Sequence, residues 1–136
     1  MLERALAQAP LFAGISKRHL RAVARLARVS SFHAGASVVT EGAEGSAMYV
    51  LLEGTAKVVK GGRTLARLGP GSFFGEISLL DGGPRTASVI AETPLRTVKL
   101  GGAELRKVLQ QEPQMALRVL TELAKRLRPQ EKPLVG

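Results

Sequence analysis

The stretch Gly71-Ser72-Phe73-Phe74-Gly75-Glu76-Ile77-Ser78-Leu79-Leu80-Asp81-Gly82-Gly83-Pro84-Arg85-Thr86-Ala87-Ser88-Val89 decides the reading of this chain. Phe73-Phe74 reads as the end of a strand, and Gly75 breaks it. Glu76 to Leu80 is long enough for one short helical turn, which Gly82, Gly83 and Pro84 end sharply. A helix start after glycine leaves free backbone N–H groups and a positive dipole end, a setting that suits an anion. Arg85 heads an alternating, β-branched run, Thr86 to Ile90, and offers phosphate oxygens a permanent charge and a planar fork. Glu76 would repel a phosphate at the same place unless it accepts from a hydroxyl, and a sugar attached to the phosphate supplies one.

Outward from this stretch the hydrophobic period is two, and glycines divide the chain into short runs. The runs are Ser30–His33, Ser37–Glu41, Ala47–Leu52, Thr55–Val59, Thr64–Leu68, Ser72–Phe74, Arg85–Ala91 and Leu95–Leu100. Eight short strands at this spacing predict a small antiparallel β-barrel or jelly roll, mainly β with flanking α-helices. Gly61-Gly62 is a two-residue hairpin signal. Further upstream, Leu2 to Ala9 predicts a short helix stopped by Pro10. Ser16 is an N-cap for an amphipathic helix over Lys17 to Val29. Lys17, Arg18, Arg21, Arg25 and Arg28 fall within an arc of roughly 100° on that helix, opposite Leu20, Val23, Leu26 and Ala27. Downstream, Ala103 to Gln111 predicts a helix, and Pro113 opens a last one at a position where proline is tolerated. The apolar residues Ala116, Leu117, Val119, Leu120, Leu123, Ala124 and Leu127 cover an arc of roughly 160° on it, wider than one packing surface requires. Pro129 and Pro133 end it, and residues 129–136 read as a loose tail after a single domain over residues 1–128.

At Phe74-Gly75-Glu76, Leu79, Arg85-Thr86-Ala87 and Val89 the sequence resembles the phosphate-binding cassette of the cyclic nucleotide-binding domain family. The resemblance covers roughly Leu2 to Leu127: N-terminal helices, an eight-strand barrel and two C-terminal helices. It implies that Arg85 pairs with the cyclic phosphate and that Glu76 accepts the ribose 2′-hydroxyl. Backbone N–H groups of Gly75, Ile77, Ser78 and Ala87 would complete the cradle, with Val58, Leu65 and Ala66 lining the purine. Threonine at position 86 implies tolerance of cGMP beside cAMP, because a hydroxyl there can accept from the guanine 2-amino group. The family's last helix packs on the barrel, closes over the base and often meets its mate in a dimer. Transcription regulators, kinases and channels of the family continue well past such a domain. The resemblance is therefore to a stand-alone sensor or to a regulatory domain cut from a larger protein, with an unknown downstream partner.

Composition narrows the classes. A chain of 136 residues with 45% hydrophobic content can build one real core. It has no cysteine, hence neither a disulfide framework nor a thiolate site. His19 and His33 lie 14 positions apart without a His-x-His pair, which argues against a metal-bearing barrel enzyme and leaves no metal and no catalytic set to assign. Nowhere do about 18 apolar residues run together, and the first ten do not form a signal peptide, so a cytoplasmic location is the expectation. The net charge of +9 is uneven: residues 1–30 carry +5, residues 31–100 carry +1 and residues 101–136 carry +3. The basic flanks leave a nucleic-acid-associated regulator as an alternative, although no DNA-reading helix pair is visible and aromatics, at 4%, are too scarce for base stacking. A family member that keeps the fold without binding nucleotide is the other alternative.

Overall fold

The computed structural model describes residues 2–7, 9–75 and 82–127. Helix α1 (Leu2–Ala7) is followed by a 3-10 turn (Pro10–Phe12) and helix α2 (Lys17–Leu26). Eight strands come next: β1 (Arg28–Phe32), β2 (Ser37–Val39), β3 (Met48–Glu53), β4 (Ala56–Lys60), β5 (Arg63–Leu68), β6 (Phe73–Phe74), β7 (Ser88–Ala91) and β8 (Leu95–Leu100). Helices α3 (Gly102–Gln111) and α4 (Pro113–Leu127) complete the described chain. The tail expected over residues 129–136 lies outside the described residues.

The strands form two antiparallel four-stranded sheets, ordered β1-β8-β3-β6 and β2-β7-β4-β5. Among the described residues no ladder joins them, so of the two expected forms, barrel or jelly roll, the structure takes the two-sheet jelly roll. Gly61 and Gly62 take φ of +57° and +78°, the left-handed pair that a tight β4–β5 hairpin needs.

Strand alternation builds two cores from one sheet. Met48, Val50, Phe73, Val98 and Leu100 face the helices and pack with Leu6, Leu11, Phe12, Val23, Leu105, Val108, Met115 and Val119. Ala47, Tyr49, Leu51, Phe74 and Leu95 face the other way and meet Val39, Ala56, Val89 and Ala91 between the sheets.

Helix α2 starts as expected, with the Ser16 hydroxyl accepting from the His19 N–H at 3.2 Å. It ends sooner, at Leu26, because Ala27 is extended (φ −76°, ψ 143°) and Arg28 to Phe32 pair with β8. Arg28 therefore sits on a strand and not on the helix stripe, and Leu26 is 38% exposed instead of packed. In the last helix the buried side is Met115 and Val119, while Leu117 and Leu120 are exposed. The wide apolar arc thus extends beyond the surface that the body of the domain covers.

The His19 side chain ties α2 to the α3–α4 junction. Its Nδ1 meets the Ser16 hydroxyl and the Glu112 carboxylate, and its Nε2 lies 3.1 Å from Gln111 Oε1. Burial alone would raise the Glu112 pKa, but hydrogen bonds from His19 and Ser16 outweigh it and hold the carboxyl below its ordinary value.

Candidate functional site

The site begins where β6 ends. Phe73 pairs with Val50 and Phe74 with Tyr49. The Tyr49 and Phe74 rings stack with centroids 5.2 Å apart and planes 10° from parallel. This anchors the chain immediately before Gly75, whose φ is +89°. A side chain at Gly75 would bring a Cβ to 2.7 Å from the Ala47 carbonyl oxygen and 2.9 Å from Arg85 Nη1. The missing side chain makes room for the arginine.

Arg85 is 7% exposed. Its Nη2 donates to the Ala47 carbonyl at 3.0 Å and its Nη1 to the Gly75 carbonyl at 3.4 Å. On the other side stands Gly45, where a Cβ would lie 3.0 Å from Nη2 and 3.2 Å from Nε. The guanidinium therefore occupies a slot between two glycines. Its backbone is fixed as well: the Arg85 N–H donates to the Ala43 carbonyl at 2.9 Å, and the Gly42 N–H donates to the Arg85 carbonyl at 2.8 Å. These bonds replace the strand expected from residue 85. Strand β2 is short and its register against β7 shifts between Ser37 and Val39, so Arg85 to Ala87 lie opposite a loop and the ladder starts at Ser88. The side-chain alternation nevertheless runs on, with Arg85, Val89 and Ala91 buried and Thr86 exposed.

The expected base-lining residues divide. Val58 pairs with Ala66 on one side and Val89 on the other, and it packs on the inter-sheet core. Val58 and Ala66 thus share the inner face of the sheet that Arg85 leads into. Leu65 falls where the β4–β5 register shifts and is 47% exposed. Glu76, Ile77, Ser78 and the helical turn expected over Glu76–Leu80 lie outside the described residues.

Beside Arg85 a cavity of about 450 Å³ opens at one end of the sandwich. Val39, Thr40, Ser46, Tyr49 and Lys99 line it with Arg85; Val58, Leu65 and Ala66 do not. Gly45 and the Ala47 carbonyl are parts of the site that sequence reasoning passed over. Gly45 read as one of several turn glycines, and a backbone carbonyl carries no sequence signal. Among the described residues no group of three or more His, Cys, Asp or Glu side chains could hold a metal ion. No described helix is long and apolar enough to cross a membrane.

The profile of the cyclic nucleotide-binding domain matches residues 29–112. The CRP-like cAMP-activated global transcriptional regulator of Mycobacterium tuberculosis is 32% identical over 132 residues, covering 93% of this chain and 59% of the regulator. The mouse potassium/sodium hyperpolarization-activated cyclic nucleotide-gated channel 3 is 39% identical over 123 residues, covering 90% of this chain and 16% of the channel. Among solved structures, the regulatory domain of Toxoplasma gondii PKA with cAMP aligns at a TM-score of 0.71 and 29% identity, over 79% of this chain and 42% of that one. The chain thus spans under two thirds of the length of each of these relatives.

Proposed function

The chain belongs to the cyclic nucleotide-binding domain family, and from that premise we propose that it is a regulatory sensor whose ligand is a cyclic purine nucleotide. The observation that carries the reading is the Arg85 guanidinium, buried and held between Gly45 and Gly75 where the cassette begins. A permanently charged group taken out of water is costly. A phosphate at its edge would add charge-assisted hydrogen bonds to those the guanidinium gives the Ala47 and Gly75 carbonyls. In this reading Gly75, Ile77, Ser78 and Ala87 supply backbone donors to the phosphate, and Glu76 accepts from the ribose 2′-hydroxyl. Val58 and Ala66 offer the base an apolar wall, with exposed Leu65 at its rim. The cAMP named for the bacterial and parasite relatives makes cAMP the first ligand to test. Thr86 supplies the hydroxyl that admits cGMP.

The output runs through the C-terminal helices. Helix α4 keeps Leu117 and Leu120 outside the core, 63% and 57% exposed. That surface is available to a repositioned helix, to a second copy of the chain or to a downstream protein. Binding shifts an existing equilibrium of α4 toward the ligand. We assign the domain to the cytoplasm, where such nucleotides are sensed.

Calorimetric titration with cAMP, and with 2′-deoxy-cAMP as the control for Glu76, tests the site. One-to-one binding of cAMP, weakened in the deoxy analogue, is expected. Absence of binding by both cAMP and cGMP would overturn the nucleotide reading. Equal affinity for the deoxy analogue would remove Glu76 from the ribose. Amide exchange over Val119 to Lys125 should slow at saturating cAMP; unchanged protection would make α4 a fixed part of the core.

A further inference from the structure

We propose that the cavity behind the Arg85 guanidinium is a second binding site, for a small organic anion that carries an apolar body. It goes beyond the nucleotide reading and does not rest on it, because among the described residues the cavity shares only Arg85 with those assigned to the nucleotide.

Three observations point to an anion. First, Tyr49 lines the cavity and is 8% exposed, yet its hydroxyl has no hydrogen-bond partner among the described residues. Buried tyrosine hydroxyls ordinarily find one. Second, Lys99 stands next to Tyr49 across the β3–β8 ladder and lines the same cavity. On its other side, directly opposite across the β1–β8 ladder, is Arg28. Like charges in facing cross-strand positions repel and destabilise a sheet. Neither has an ion-pair partner among the described residues, whereas the nearby Arg96, on the same strand as Lys99, pairs with Glu53 at 3.2 Å. A bound anion relieves that repulsion. Third, Arg85 forms part of the wall, and the hydroxyl-bearing Thr40 and Ser46 stand with it. Among the described residues one carboxylate, that of exposed Glu44, also lines the cavity, against the two cations Arg85 and Lys99.

The apolar body follows from the remaining walls. Val38 and Val39 of β2 line the same cavity as Lys99 and Tyr49. The cavity, at about 450 Å³, is far larger than an inorganic anion needs. Tyr49 and Lys99 therefore hold the charged end, and the valines cover the rest.

The probe is phenyl phosphate, followed by NMR of the backbone amides with inorganic phosphate as the comparison. Saturable shifts are expected at Thr40, Ser46, Lys99 and Gly101, with phenyl phosphate binding more tightly than inorganic phosphate. Lys99→Gln should raise the half-saturating concentration about tenfold, and Tyr49→Phe about threefold while keeping the ring stack on Phe74. Both variants should bind cAMP within about twofold of the parent. Titrations unchanged by either variant, or shifts that never saturate, overturn the proposal. So does a loss of cAMP affinity in Lys99→Gln as large as its loss of phenyl phosphate, which would make the cavity part of the nucleotide site. If cAMP fails to bind the parent, the phenyl phosphate titrations still decide this site, so the two readings fail separately.

Discussion

The two apolar layers of this domain differ in what fills them. The layer between sheet and helices is closed by large side chains, with Leu6, Leu11, Phe12, Met48, Leu100 and Met115 each at most 2% exposed. The layer between the sheets mixes the large Tyr49, Leu51, Phe74 and Leu95 with smaller side chains, Ala47, Ala56, Ala91, Val39 and Val89. Strands β3, β6 and β8 serve both layers through alternation, so the difference comes from residue size and not from separate scaffolding. Large interdigitating groups close the helix layer at its interior. Small ones let the sandwich stay open at one end, where Arg85 and the cavity are found. Arg85 and the cavity thus belong to the inter-sheet side of the shared sheet.

The strongest way to break this division is Phe12→Ala. It removes a fully buried ring from the helix layer and should cost about 3–5 kcal/mol of stability in chemical denaturation. The folded fraction should still bind cAMP normally, and a large loss of affinity would show that the layers are not independent. Arg85→Ala is the converse. It should weaken cAMP by about tenfold or more, a loss of about 1.5–3 kcal/mol from a charge-assisted contact. Calorimetry that found parent-like affinity would remove the arginine from the phosphate site.

Smaller effects sharpen the boundary. Thr86→Ala should cost cGMP more than cAMP, by about 0.5–1.5 kcal/mol for one neutral hydrogen bond. Equal losses would place base selection elsewhere; Thr86 is exposed, so the substitution leaves the core intact. The least effect is expected from the rim of the helix layer. The folded pKa of Glu112 is depressed, so its contribution to stability is present above the ordinary glutamate pKa of about 4.3 and is lost as pH falls through the lower folded value. Glu112→Gln should therefore flatten the acid limb of a urea-midpoint profile. An acid limb identical to the parent's would mean that the junction with His19 and Ser16 adds nothing to folding.

Much of this architecture was legible from local chemistry. Glycine-divided runs of period two located all eight strands, because turn residues and alternation act within a few positions of one another. Ser16 announced the start of α2, and Pro113 that of α4, for equally local reasons. The cassette residues Gly75 and Arg85 were identifiable because their spacing carries a motif, and the structure brings them together. Errors arose where a distant partner decided the outcome. Arg28 left the α2 stripe because β8 offered it a ladder, and Arg85 to Ala87 stayed out of β7 because β2 is too short to pair with them.

Residue type and spacing determined by themselves the strand number and the helix order, and they singled out Arg85 and Gly75, which the structure brings together. Only the tertiary structure decided that the sheets remain a sandwich, that Gly45 and the Ala47 carbonyl hold the guanidinium, and that His19 reaches Glu112 across 93 positions. It alone also set Lys99 between Arg28 and Tyr49 at the cavity. The reason is range. Turns, caps and alternation are set by neighbours along the chain, whereas register, enclosure and the company a charge keeps are set by strands and helices that meet only after the chain has folded.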